Sequence, residues 1–205
     1  MSKTYKSALS DAMKEALETN PHSLIIGQGV TDFKGIFDTV KGFNVKYPDR
    51  IIETPLAEDS VAGICIGASL NGAYPINTHI RADFGLLIFN QLINLAAKYR
   101  YMFGGLFEVP SMFRMVVGRS WGQGAQHSQS LQSLMAHIPG LVVIMPADPK
   151  SIIESYRYAV HKHKGPVVML EHRLLYELSF EEDTTELSHP FFGSKLDPCV
   201  NSLIL

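Results

Sequence analysis

Six short apolar runs, spaced along the chain and separated by stretches with a helical period, constrain the fold more than any other feature. They fall at residues 24–26, 51–52, 76–80, 112–117, 141–145 and 167–170. A strand with one wet face alternates apolar and polar residues, whereas a strand covered on both faces reads as a near-continuous apolar run. The six runs are therefore predicted to be strands buried on both sides. Between them, residues 4–19 place Ala8, Leu9, Ala12, Met13, Ala16 and Leu17 on one stripe that Asn20-Pro21 ends. The stretches 58–72, 86–101 and 149–163 complete the helical set, the first rich in small residues (Ala62, Gly63, Gly67, Ala68) that allow close packing. Strands alternating with helices predict an α/β fold, a doubly wound and mostly parallel sheet with helices on both faces.

At 205 residues and 46% hydrophobic, the chain can bury one sizeable core. After Tyr176 its character changes. Residues 1–180 are expected to form the domain, and 181–205, opening on Glu181-Glu182-Asp183, a linker with the start of something further. The 18 basic and 20 acidic residues are scattered, which leaves no electrostatic footprint for nucleic acid or an anionic membrane. Met1-Ser2-Lys3-Thr4-Tyr5 lacks the apolar stretch of a secretory signal and no segment is long enough to span a bilayer, so a cytoplasmic location is expected. Cys65 and Cys199 are too few and too isolated for a disulfide framework or a zinc site.

Three places could carry chemistry. Gly27-Gln28-Gly29 follows a strand as a dinucleotide fingerprint would, but the third glycine would fall at Asp32, and no acidic residue follows at the expected distance. Glu58, in Thr54-Pro55-Leu56-Ala57-Glu58-Asp59, opens a helix directly after a strand. An acid there can simply complement the helix dipole. Held among Leu56, Ala62 and an aromatic, it would instead have a raised pKa and could share a proton with a heterocyclic nitrogen. His127 follows the glycine-rich loop 118–126 at the carboxyl edge of the sheet, where open α/β folds place ligands. It is either an acid, base or donor near neutral pH, or one structural histidine among several.

These residues lie in blocks that resemble a known family. The blocks are Thr54-Pro55-Leu56-Ala57-Glu58, the stretch 91–101 with Gly104-Gly105-Leu106, Gly124-Ala125-Gln126-His127-Ser128-Gln129-Ser130, Pro139-Gly140-Leu141 and Pro166-Val167-Val168-Met169-Leu170-Glu171. In order and spacing they resemble the beta subunits of thiamin-diphosphate-dependent 2-oxoacid dehydrogenases of the pyruvate, branched-chain oxoacid and acetoin type, whose fold is the transketolase-like pyrimidine-binding domain. The resemblance implies that Glu58 hydrogen-bonds a pyrimidine nitrogen of thiamin diphosphate, favouring the imino tautomer that activates the thiazolium carbon. It also implies that Leu56 and Phe84 line the pyrimidine and that His127 sits near the substrate or an incoming lipoyl group. No part of the chain resembles the Gly-Asp-Gly motif that holds magnesium and the diphosphate. The implied partners are therefore an alpha-type subunit bringing magnesium, a second copy of this chain in a heterotetramer, and a lipoyl-bearing acyltransferase.

The chain departs from the family pattern in three ways. Gly27-Gln28-Gly29-Val30 stands where the family carries an acidic pair, His161-Lys162-His163-Lys164 stands where some relatives bind potassium, and the sequence continues for only a dozen residues after Gly193. These departures keep two alternatives in play: a transketolase-like or non-oxidative subunit with the same cofactor, and an inactive cofactor-binding or scaffolding relative.

Overall fold

The strands form where the apolar runs lie, because a residue inside a covered sheet has its backbone groups paired and its side chain out of water. The computed structural model of the protein describes residues 2–181. Its main sheet contains β2 (Ser23–Gly27), β3 (Ile51–Glu53), β4 (Tyr74–His79), β5 (Ser111–Val117), β6 (Val142–Ile144) and β7 (Pro166–His172), all parallel, in the order β3-β2-β4-β5-β7-β6. A small antiparallel ribbon pairs β1 (Lys3–Thr4) with β8 (Ser179–Phe180). The helical segments are α1 (Tyr5–Thr19), α2 (Gly35–Asp38), α3 (Phe43–Lys46), α4 (Glu58–Leu70), α5 (Tyr99–Met102), α6 (Gln132–Ala136) and α7 (Pro149–His161).

Successive side chains of a strand point to opposite faces, and here both faces are core. On β5, Met112 and Val116 join the cluster under α1 and α7, while Phe113, Met115 and Val117 join the cluster on the other side. On β7, Val167 and Met169 divide from Val168 and Leu170 in the same way. The doubly wound prediction holds. Local signals start the two helices of the first layer: Thr4 caps α1 by accepting from the Ser7 amide, and Asp148 with Ser151 forms a capping box for α7, which has Pro149 in its first turn.

Two expectations need correction. Residues 51–52 are not buried on both faces: only Ile51 is, and Ile52 is 39% exposed, because β3 is an edge strand with one neighbour. Residues 86–101 are not one regular helix. A tight 3-10 stretch at Ala82–Ile88 is followed by a widened π-helical stretch at Asn90–Ala96, and only Tyr99–Met102 is α-helical. Close packing supplies a reason: a Cβ on Gly85 would lie 2.7 Å from the Met115 sulfur, so the segment is pressed against the sheet. The expected linker and second region, with Cys199, lie outside the described residues.

The strand order reverses between β2 and β4, since the chain runs outward from β2 to β3 and then returns to the other side of β2 for β4. Such a reversal leaves a crevice at the carboxyl ends of the two strands, the usual ligand position in open α/β sheets.

Candidate functional site

A shallow cleft opens at that reversal. Gly27 and Gln28 come from the end of β2, Thr78, His79 and Ile80 from the end of β4, Glu58 and Val61 from the first turn of α4, and Phe84 from the turn after β4. Glu58 is half-buried, and its Oε1 accepts a hydrogen bond from Gln28 Nε2 at 3.4 Å. The cleft therefore carries a carboxylate, an aromatic face and an apolar wall.

His79 is buried in the same wall, and burial pushes its pKa down to about 4, so the imidazole is neutral near pH 7. Asn77 Nδ2 donates to the Ile26 carbonyl, and its Oδ1 lies 2.7 Å from His79 Nε2. The network assigns the proton to Nε2 and leaves Nδ1 as a bare acceptor. The Thr78 hydroxyl, on the opposite face of β4 in register with Arg114, is buried with no partner among the described residues.

Of the residues expected at the site, Glu58 and Phe84 line the cleft. His127 does not line it but stands edge-on against Phe84, with ring centroids 5.5 Å apart. Gly118 makes this possible, since a Cβ there would lie 2.2 Å from the His127 carbonyl oxygen. Leu56 is outside the cleft lining and 81% exposed, so within this chain Val61, not Leu56, forms the apolar wall beside Glu58. Gln28 belongs to the Gly27-Gln28-Gly29 turn already singled out in the sequence, while Asn77, Thr78 and His79 were missed. Their signal was present: three polar residues in succession inside an otherwise apolar strand, which burial penalises unless a network or a ligand satisfies them.

The Gly27-Gln28-Gly29 turn is not a phosphate cradle. Glu53 carboxylate oxygens already accept from the Gly29 amide at 2.6 Å and from the amide and hydroxyl of Thr31 at 2.9 Å each. Cys65, in α4, is buried and its thiol is pushed up to about 12, which makes it a packing residue and not a nucleophile. Among the described residues no cluster of three or more His, Cys, Asp or Glu could hold a metal ion, and no helix is long and apolar enough to cross a membrane. At the variant potassium loop, the Lys164 ammonium lies 3.6 Å from Glu108.

Next to the cleft, a second group assembles on the same edge. Arg81 follows β4, Trp121 belongs to the loop after β5, Arg173 follows β7, and Phe37 lies in the turn after β2. Both guanidiniums stack on Trp121, at 4.3 and 4.8 Å from its ring centre, and both also face Phe37. Phe37 is held there by three consecutive left-handed residues, Ile36, Phe37 and Asp38, with φ of 46°, 57° and 68°. Each such non-glycine residue costs about 1–3 kcal/mol, which the surrounding packing must offset.

Comparison with known proteins identifies the family. The family profile described as transketolase, pyrimidine binding domain, matches residues 1–179. The chain belongs to that family. It is 38% identical over 192 residues to the mitochondrial pyruvate dehydrogenase E1 component subunit beta of Rattus norvegicus, covering 92% of this chain and 52% of the relative. It is 34% identical over 196 residues to the beta subunit of acetoin:2,6-dichlorophenolindophenol oxidoreductase of Cupriavidus necator, covering 91% and 58%. A solved structure titled split gene transketolase, inactive beta4 tetramer, superposes with a TM-score of 0.66 at 21% identity, over 81% of this chain and 50% of that one. The resemblance read from the sequence blocks is borne out, and the family fold is the one observed. The chain spans about half the length of these curated relatives.

Proposed function

We propose that this chain is the beta-type, pyrimidine-activating half of a 2-oxoacid dehydrogenase decarboxylase component. The observation that carries the reading is the Glu58 carboxylate at the start of α4, set at the topological switch point with Phe84 beside it. The donor set fits an aminopyrimidine: Phe84 offers a ring face, Val61 an apolar side and Glu58 an acceptor for a protonated ring nitrogen.

Thiamin diphosphate, when bound, supplies the carbanion chemistry of decarboxylation. Glu58 holds a proton at the pyrimidine nitrogen and so controls the tautomer of the neighbouring amino group. Gln28 orients the carboxylate through its amide. Neutral His79, its tautomer set by Asn77, offers a fixed acceptor without adding charge. His127, which stands against Phe84, is assigned in this reading to meet the substrate or the acyl acceptor. The same reading extends to an assembly with an alpha-type subunit that would hold the diphosphate and magnesium, a second copy of this chain and a lipoyl-bearing acceptor, in the cytoplasm. Residues 1–180 are the pyrimidine-binding unit.

The test is co-expression with the alpha-type partner and measurement of oxoacid-dependent reduction of an artificial electron acceptor, with and without thiamin diphosphate and magnesium. Glu58→Gln should lower turnover by about 10²-fold or more while the complex stays folded. Wild-type-like turnover in that variant removes the mechanism.

A further inference from the structure

We propose that Arg81 and Arg173, set around Trp121 and Phe37, form a receptor for an anionic group on a small-molecule ligand, a carboxylate or a phosphate. The inference goes beyond the reading of Glu58 and stands without it.

The parts come from three adjacent strands. Since β4, β5 and β7 are neighbours in the sheet, the residues leaving their carboxyl ends are carried to one place, and Arg81, Trp121 and Arg173 all lie within these exits. Arg81 directly follows Ile80, which lines the cleft, so the receptor borders the space a ligand would enter.

What marks the group as a receptor is an excess of positive charge: two guanidiniums meet here with one nearby carboxylate, Asp83, and no ion pair. No carboxylate forms an ion pair with Arg81, Arg119 or Arg173 among the described residues. Asp83 acts on Arg81 electrostatically; its Oδ1 is engaged by the Gln129 amide, while its buried Oδ2 has no partner among the described residues and forms no ion pair with the guanidinium. Arg81 spends its terminal nitrogens on the Ile80 carbonyl and on Gln123, leaving its buried Nε unpartnered. Arg173 donates to no acceptor among the described residues, although its guanidinium is stacked on Phe37, Trp121 and Tyr176 at once.

A stacked guanidinium is already immobilised and partly dehydrated, so an arriving anion meets a preformed fork at reduced entropic cost and in a medium less screening than water. Bidentate pairing with carboxylate or phosphate is the strong form of that contact. The local field agrees. Burial lowers the proton affinity of Arg81, Asp83 offsets part of that, and the charge of Arg173 lowers it again; His172, next to Arg173, is lowered by burial and then by Arg119.

Trp121 is the one tryptophan in the sequence, so it reports on this group alone. The experiment titrates the full chain with inorganic phosphate and, separately, with succinate, at ionic strength held constant with sodium chloride, and follows tryptophan fluorescence. A saturable change is expected with at least one of the two, and which one saturates tells phosphate from carboxylate recognition. Arg173→Met and Arg81→Met should each raise the apparent dissociation constant about tenfold or more, the loss of a charge-assisted pair. Where a methionine variant does not keep the wild-type far-UV circular dichroism, Arg173→Lys retains the charge, loses the fork and should weaken binding as well. No saturable change with either anion, or saturation unaltered in folded variants, overturns the proposal. Neither result depends on thiamin diphosphate, so failure here is separable from failure of the Glu58 reading.

Discussion

Replacing Arg114 by methionine should destabilise the chain by about 3–5 kcal/mol, the cost of leaving one member of a buried ion pair alone. Arg114 and Glu171 are both 0% exposed, and they face each other across β5 and β7 in a bidentate pair, with Arg114 Nε to Glu171 Oε1 at 2.5 Å and Nη2 to Oε2 at 2.8 Å. Tyr176 donates to Glu171 Oε2 at 2.6 Å, and Arg114 Nη2 also donates to the Thr39 hydroxyl at 2.8 Å. Burial alone would lower the proton affinity of Arg114, but Glu171 and then the surrounding tyrosines outweigh it, so the guanidinium stays charged. A methionine fills much of the arginine stem's space without its charge, which isolates the electrostatic loss from a cavity effect. Urea unfolding of the chain at neutral pH reads the change as a fall in midpoint at unchanged slope. The reasoning also fixes a comparison: Arg114→Met with Glu171→Met together should cost less than the two single changes added, because the double variant strands no charge. A single-variant loss below about 1 kcal/mol, or strict additivity, would refute the account of a charged pair out of reach of solvent. The pair matters to the site because Tyr176, held by Glu171, stacks against Phe37 and Arg173.

Three further outcomes follow from the site. The imidazole of His79 is neutral down to about pH 4 when folded and protonates near 6.5 when unfolded, so the unfolded chain binds more protons between those values and stability falls as pH drops through that window. By pH 5 the loss from this group is about 2 kcal/mol, and the unfolding free energies from urea titrations at pH 7 and pH 5 should converge by that amount in His79→Phe. Gly118→Ala drives a Cβ against the His127 carbonyl. It should lower turnover of the assembled enzyme by a larger factor than its unfolding loss of about 1–3 kcal/mol implies, and unchanged kinetics would detach His127 from the reaction. Gln28→Ala removes the one side-chain donor to Glu58 among the described residues; cofactor affinity measured by calorimetry on the complex should fall several-fold, and an unaltered value would assign Gln28 to packing alone.

Much of this protein was legible in its sequence. A strand buried on both faces needs apolar residues on both, so the runs at 112–117 and 167–170 announced a covered parallel sheet before any contact was known. Cap chemistry is equally local, and Glu58 could be placed at a helix start after a strand from neighbouring residues alone. Where only tertiary packing sets the conformation, the reading failed: the pressure of Gly85 on Met115 broke the expected helix at 86–101, and the edge position of β3 exposed Ile52. Strand order is not encoded in any one segment. It is decided by which crossovers pack, and it alone brings Gln28, Glu58, His79 and Phe84 to one cleft and Arg81, Trp121, Phe37 and Arg173 to one cluster. Local hydrophobic periodicity thus determined what the elements are, while the neighbours of each charged or aromatic side chain, and with them the chemistry of the site, came from distant segments meeting at the carboxyl edge of the sheet.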